Sequence, residues 1–158
     1  MQELNLYHAR CTITAGRPEH SVAERHRAPA PDRRGMFENH SILIVEDELL
    51  VGIELAQAVQ RHGGRAIGPL PTVAEALALL DTTPIAAAIL DVQLLDRDIT
   101  PVALRLIATR TPIVIQTGTG LPEALSAVGI DLPVVMKPAA PERVLDLLSA
   151  EIKKRLPQ

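Results

Sequence analysis

Five residues able to handle a metal ion or a phosphoryl group stand at the ends of short apolar runs in this chain of 158 residues. Glu46 and Asp47 follow SILIV, Asp91 closes IAAAILD, Thr117 follows PIVIQ and Lys137 follows LPVVM. Carboxylates crowded together raise one another's pKa unless a cation neutralises them. A hard dication with oxygen ligands does so, and Mg²⁺ accepts a few carboxylates together with several waters. The lysine is a mobile point charge suited to a phosphoryl oxygen, and the threonine offers one hydroxyl donor. An aspartate beside Mg²⁺ and an ammonium can form an acyl phosphate: the carboxylate is the nucleophile, the charges clamp the group, and no general base is needed. Singly, each residue has a plainer use. Glu46 could be surface charge, Asp91 a loop cap, Thr117 a turn former and Lys137 a snorkelling side chain. Convergence at one edge of a sheet is what gives them a common purpose.

The elements that must bring them together follow from periodicity. Ile85 to Leu90 is apolar without a break, opened by Pro84 and closed by Asp91, as expected of a strand buried on both faces. Ser41 to Val45, Arg65 to Gly68, Pro112 to Gln116 and Leu132 to Met136 read as further strands. Between them, Glu48 to His62 reads as a helix with Leu49, Ile53, Ala56 and Val59 on its inner stripe and Gly63-Gly64 as its stop. Thr72 to Glu75 is a capping box, with Val73, Ala76, Leu77 and Leu80 on the inner face of the helix it opens. Thr100-Pro101 reads as cap and first position of a helix to about Arg110. Only a short helix fits before Gly129, and Pro141 opens a last helix with Val144, Leu145, Leu148 and Ile152 inward. Alternating strands and helices predict a parallel α/β sheet covered on both faces. In such a sheet, residues at the carboxyl ends of strands line the ligand crevice, so the five candidates would meet there.

Composition narrows the function classes. The formal charge of −3 gives no electrostatic case for nucleic acid. No apolar run approaches membrane-spanning length and the start lacks a signal peptide's core, so a cytoplasmic location is expected. Cys11 is the single cysteine and is expected to be a free thiol. Tyr7 and Phe37 are the only aromatics and precede the apolar part, so an all-aliphatic core is expected. Residues 1–40 hold four of the five histidines (His8, His20, His26, His40), at spacings that fit no metal pattern, and the linker-like APAPDRR. They are expected to be a poorly ordered tail ahead of a domain spanning 41–156. Met36 is a possible natural start.

Ser41 to about Ile152 resembles the receiver domain of two-component response regulators. IVEDE, ILDVQL, QTG and MKP carry the resemblance, each at the end of a strand. It implies a flavodoxin-like, doubly wound, five-stranded parallel sheet of order 2-1-3-4-5. It implies Asp91 as phosphoacceptor, with Mg²⁺ held by Asp47, by Asp91, by Glu46 through water and by the main-chain carbonyl of Gln93. Thr117 and Lys137 would hold the phosphoryl group, and a sensor histidine kinase or histidine phosphotransfer protein would supply it. The usual aromatic three residues before the lysine is here Val134, and the loop LLDRDIT lacks the common Pro and Gly. With the threonine-glycine stretch Thr117 to Gly120, these features resemble stand-alone receivers that work with HWE-type kinases. Gly118, Thr119, Gly120 and Val134 are then the switch candidates, and Gln93 and Thr119 would flank the approach of water. No DNA-binding or enzymatic output domain is expected, so output would be through protein contacts or as a phosphate sink. A phosphorylation-independent interaction module is the alternative. Asp96-Arg-Asp98-Ile-Thr100 matches the D-x-D-x-T of haloacid-dehalogenase-type phosphatases, but only 58 residues follow it. Asp96 and Asp98 are expected to be solvated loop charges, and Thr100 a helix cap.

Overall fold

A computed structural model describes residues 35–155. Cys11, His8, His20 and His26 lie outside the described residues, as does most of the expected tail. Ten elements alternate in type: β1 (Ser41–Val45), α1 (Leu49–Arg61), β2 (Arg65–Leu70), α2 (Val73–Thr82), β3 (Ala87–Asp91), α3 (Thr100–Ala108), β4 (Ile113–Thr117), α4 (Glu123–Ser126), β5 (Val134–Met136) and α5 (Pro141–Arg155). All neighbouring strands are parallel, in the order β2-β1-β3-β4-β5. This is the flavodoxin-like fold expected from the sequence. No helix among the described residues is long and apolar enough to cross a membrane.

The two faces of the sheet form two separate cores, and the period-two geometry of a strand assigns each residue to one of them. Ile42 and Ile44 of β1, Ala87 and Ile89 of β3, and Val114 of β4 pack under α1 and α5. Leu43, Val45, Ala88, Leu90, Ile113 and Ile115 pack under α2, α3 and α4. Strand β3 is buried throughout, as the unbroken apolar run requires. The inner faces expected for α2 and α5 hold: Val73 and Ala76 are buried with Leu77 and Leu80 against the same core, and Val144, Leu145, Leu148 and Ile152 are buried. Thr72 caps α2 by accepting from the Glu75 amide at 3.2 Å.

Two expectations are corrected. The inner stripe of α1 is Gly52, Leu55, Ala58 and Val59, while Leu49 is 64 % and Ile53 38 % exposed. The cause is Gly52. A Cβ there would lie 2.5 Å from the Pro69 Cβ, so the bare glycine is the contact that lets α1 sit on β2. A pattern built on apolar side chains cannot register a residue that packs by lacking one. The core is also not wholly aliphatic. Phe37 is completely buried among Ile42, Ala58 and Val59, and its amide donates to the His62 carbonyl at 3.0 Å. Residues 35–40 therefore pack on the domain instead of preceding it.

Candidate functional site

The register of the sheet brings three of the strand-end acids together. Val45 pairs with Leu90, and Asp91 with Gln116, so the ends of β1 and β3 open side by side. Glu46 and Asp91 are buried, Asp47 is half-buried, and one carboxylate oxygen from each lies within 4.8 Å of the others. Oxygens opposite one another around Mg²⁺ are about 4.2 Å apart, so the cluster needs only small adjustments to hold such an ion. An all-oxygen, multiply charged donor set suits a hard dication. The three acids could hold a metal.

Lys137 is the counter-charge. It follows β5, which pairs with β4 from Ile115–Val134 to Thr117–Met136, and the Lys137 amide donates to the Thr117 carbonyl at 2.8 Å. Its Nζ donates to both Glu46 oxygens at 2.9 and 2.8 Å and to Asp91 Oδ2 at 2.9 Å. All three ammonium protons are thereby used, and Glu48 adds a fourth carboxylate oxygen at 3.7 Å. Burial pushes the Glu46 carboxyl above its ordinary value, against the opposing pull of the Lys137 hydrogen bond. Burial opposes the Lys137 charge as well, but the bonds to Asp91 and Glu46 outweigh it and hold the ammonium above its usual value. One ammonium thus neutralises part of a cluster that stays strongly anionic, and a dication would compete with it for the same oxygens.

Thr117 is fully buried, and its hydroxyl is engaged by its own loop. It donates to the Gly120 carbonyl at 2.9 Å and accepts from the amides of Thr119 and Gly120 at 3.1 and 3.0 Å. These three bonds close the loop 117–120 on itself, and Gly120 makes the closure possible at φ +107°, which side-chain-bearing residues rarely adopt. A Cβ on Gly118 or Gly120 would meet nothing within 4 Å, so the loop is held by the threonine and not by packing. Gln93 is exposed and joined to Asp98 by an isolated antiparallel bridge. Val134 is half-buried at the start of β5, and Met136, beside the lysine, is 56 % exposed.

Asp96 and Asp98 have structural uses that the sequence reading missed. Asp96 accepts from the amides of Val73 and Ala74 at 2.9 and 3.2 Å and so caps α2 from across the fold. The Val73 amide in particular holds its carboxyl below the ordinary range. Asp98 accepts from the Thr100 amide at 2.8 Å at the start of α3. Thr100 is the first residue of α3 and not its cap, since Pro101 takes the second position. Both carboxylates serve helix ends instead of facing a shared substrate. Two residues of the site had also not been singled out: Glu48, near Lys137, and Gln116, which is buried in register with Asp91.

No family model and no curated protein matches the chain. Solved structures do. A response regulator receiver protein from Sinorhizobium medicae is 21 % identical with a TM-score of 0.64, over 73 % of this chain and 96 % of that one. The response regulator PhyR from Brucella abortus is 28 % identical with a TM-score of 0.63, over 77 % of this chain and 50 % of that one. SdrG from Sphingomonas melonis is 34 % identical with a TM-score of 0.55, over 72 % of this chain and 97 % of that one. Similarity of this extent, on a sheet wound in the same order, places the relationship above a shared fold: the chain belongs to the response regulator receiver domains.

Proposed function

We propose that the protein is a phosphoacceptor in two-component signalling, with Asp91 taking the phosphoryl group. The observation that carries this is the single ammonium of Lys137 shared by Asp91 and Glu46 beside a third carboxylate at the open edge of the sheet. Glu46, Asp47 and Asp91, with the Gln93 carbonyl, would hold Mg²⁺. When bound, the ion supplies charge neutralisation for the oxygens of the transferred group. Asp91 attacks phosphorus, the bond from phosphorus to the donor's imidazole nitrogen breaks, and the imidazole leaves neutral or picks up a proton from solvent. Lys137 shifts from the carboxylates to a phosphoryl oxygen, and Thr117 turns its hydroxyl toward the same group. Loss of the phosphoryl group is hydrolysis of the acyl phosphate by water passing Gln93 and Thr119. The protein thus assists its own phosphorylation and dephosphorylation without turning over a separate substrate.

The donor is a sensor histidine kinase, here of the HWE type, or a histidine phosphotransfer protein. The threonine-glycine loop supports that subgroup, because its closure by Thr117 gives the hydroxyl a structural state to leave. Output is through a downstream protein or by draining phosphate. The test is transfer from an HWE kinase loaded with labelled phosphate. Wild type should acquire label in the presence of Mg²⁺ and Asp91→Asn should not; label on both variants alike overturns the assignment.

A further inference from the structure

The loop that leaves Asp91 is fastened to a helix it does not lead into. Residues 92–99 contain no proline to stiffen the backbone and no glycine to shape a tight turn. They nevertheless close on themselves. The Ile99 amide donates to the Val92 carbonyl at 2.9 Å, and Gln93 pairs with Asp98 in an isolated antiparallel bridge. The tip of this small hairpin, Leu94 to Arg97, is tied to the start of α2. The Leu95 amide donates to the Pro71 carbonyl at 3.2 Å, while Asp96 Oδ1 and Oδ2 accept from the amides of Val73 and Ala74 at 2.9 and 3.2 Å. Leu94 packs against the same core as Val73. The Asp96 side chain is accordingly 24 % exposed, where that of its neighbour Arg97 is 65 %.

The helix has less need of these bonds than the loop does. α2 carries a cap of its own, since Thr72 accepts from the Glu75 amide. The amides of Val73 and Ala74 are the donors this local cap leaves over, and at an exposed helix start water can serve them. The loop has no such substitute, because only its bonds to α2 fix its tip. Gln93 lies two residues after Asp91 and three before Asp96. Its carbonyl is the one main-chain group in the Mg²⁺ ligand set proposed above. A main-chain ligand has no side-chain torsions with which to adapt, so it is as well placed as the loop that carries it.

We propose that Asp96 is a positioning residue for the metal site: its two bonds to α2 hold the Gln93 backbone where the carbonyl can join Glu46, Asp47 and Asp91 around Mg²⁺. This role rests on the metal site proposed above. It also couples α2 to that site, because linkage is reciprocal. Whatever the Asp96 bonds add to Mg²⁺ affinity, bound Mg²⁺ adds to those bonds.

The test is a titration of the full chain with Mg²⁺, followed through the Asp91 and Val92 amide resonances, with amide exchange measured without Mg²⁺ and at saturation. Asp96→Ala should weaken Mg²⁺ binding about tenfold, the lower end of what loss of a partner behind a metal ligand costs. Asp96→Asn loses the charge but keeps an acceptor oxygen, and should retain most of the affinity. Thr72→Ala removes the helix's own cap, spares the bonds to the loop, and should leave Mg²⁺ affinity unchanged. In wild type, saturating Mg²⁺ should slow exchange of the Val73 and Ala74 amides by a factor close to the affinity lost in Asp96→Ala. Wild-type affinity in Asp96→Ala, or exchange at Val73 and Ala74 that ignores Mg²⁺, overturns the proposal. So does Asp96→Asn as weak as Asp96→Ala, since charge alone would then explain the loss, or Thr72→Ala equally weak, since helix stability would. Absence of saturable Mg²⁺ shifts in wild type overturns the metal site itself, and this role with it.

Discussion

Replacing Lys137 with methionine should destabilise the metal-free protein strongly and the Mg²⁺-loaded protein much less. At 2.9 Å and an effective dielectric near 20, the attraction between Lys137 and Asp91 alone is about 6 kcal/mol before desolvation. Burying the ammonium opposes this, and loss of one partner from a buried ion pair typically costs about 3–5 kcal/mol. The penalty falls in that range here because the carboxylates left behind, Glu46 and Asp91, are 2 % and 6 % exposed and repel each other. A dication taking the same oxygens removes that repulsion whether or not the lysine is present. Urea unfolding of wild type and Lys137→Met, in EDTA and in excess Mg²⁺, measures both differences. Methionine keeps the length and apolar stem, so lost packing contributes little. Equal deficits with and without Mg²⁺, or no deficit in EDTA, would refute the idea that lysine and metal compete for one set of carboxylates.

Asp47→Ala should weaken Mg²⁺ binding and phosphorylation together, yet raise the melting temperature in EDTA by removing a like charge from the cluster; a fall in that temperature contradicts the crowding argument. A chain starting at Met36 should fold and phosphorylate like the full one, whereas Phe37→Ala should cost about 3–5 kcal/mol in urea unfolding, since its ring is fully enclosed. Thr117→Ala removes all three hydroxyl bonds that close residues 117–120, so amide exchange over 118–126 should already be fast and unresponsive to beryllofluoride. In wild type the same segment should be protected and become faster with beryllofluoride, a coupling of about 1–3 kcal/mol. Identical exchange in both wild-type states would remove the loop as the switch.

Most of the fold could be read from the sequence because its devices are local. Apolar runs bounded by Pro and Asp give the strands, Thr72 and Pro141 open helices, and parallel pairing then leaves few orders. The carboxylate cluster was legible for the same reason, since each acid ends a strand and strand ends meet. The misses share a different cause. Gly52 packs through the absence of a side chain, Phe37 and Asp96 act on partners distant in sequence, and neither kind of contact leaves a periodic trace. Gln116 had a signal that could have been read, a lone amide in phase with core positions of β4. The Thr117 loop shows the limit most clearly: the residues were identified, but that the hydroxyl is folded onto Gly120 depends on a rotamer and a positive φ, which composition does not fix.

The central claim is that Asp91 is a metal-dependent phosphoacceptor, and intact-protein mass spectrometry after incubation with acetyl phosphate tests it most directly. Wild type with Mg²⁺ should gain the mass of one phosphoryl group, and the adduct should disappear in EDTA and in Asp91→Asn. An adduct of equal yield in the Asp91→Asn protein, or in wild type without a divalent cation, would contradict the account.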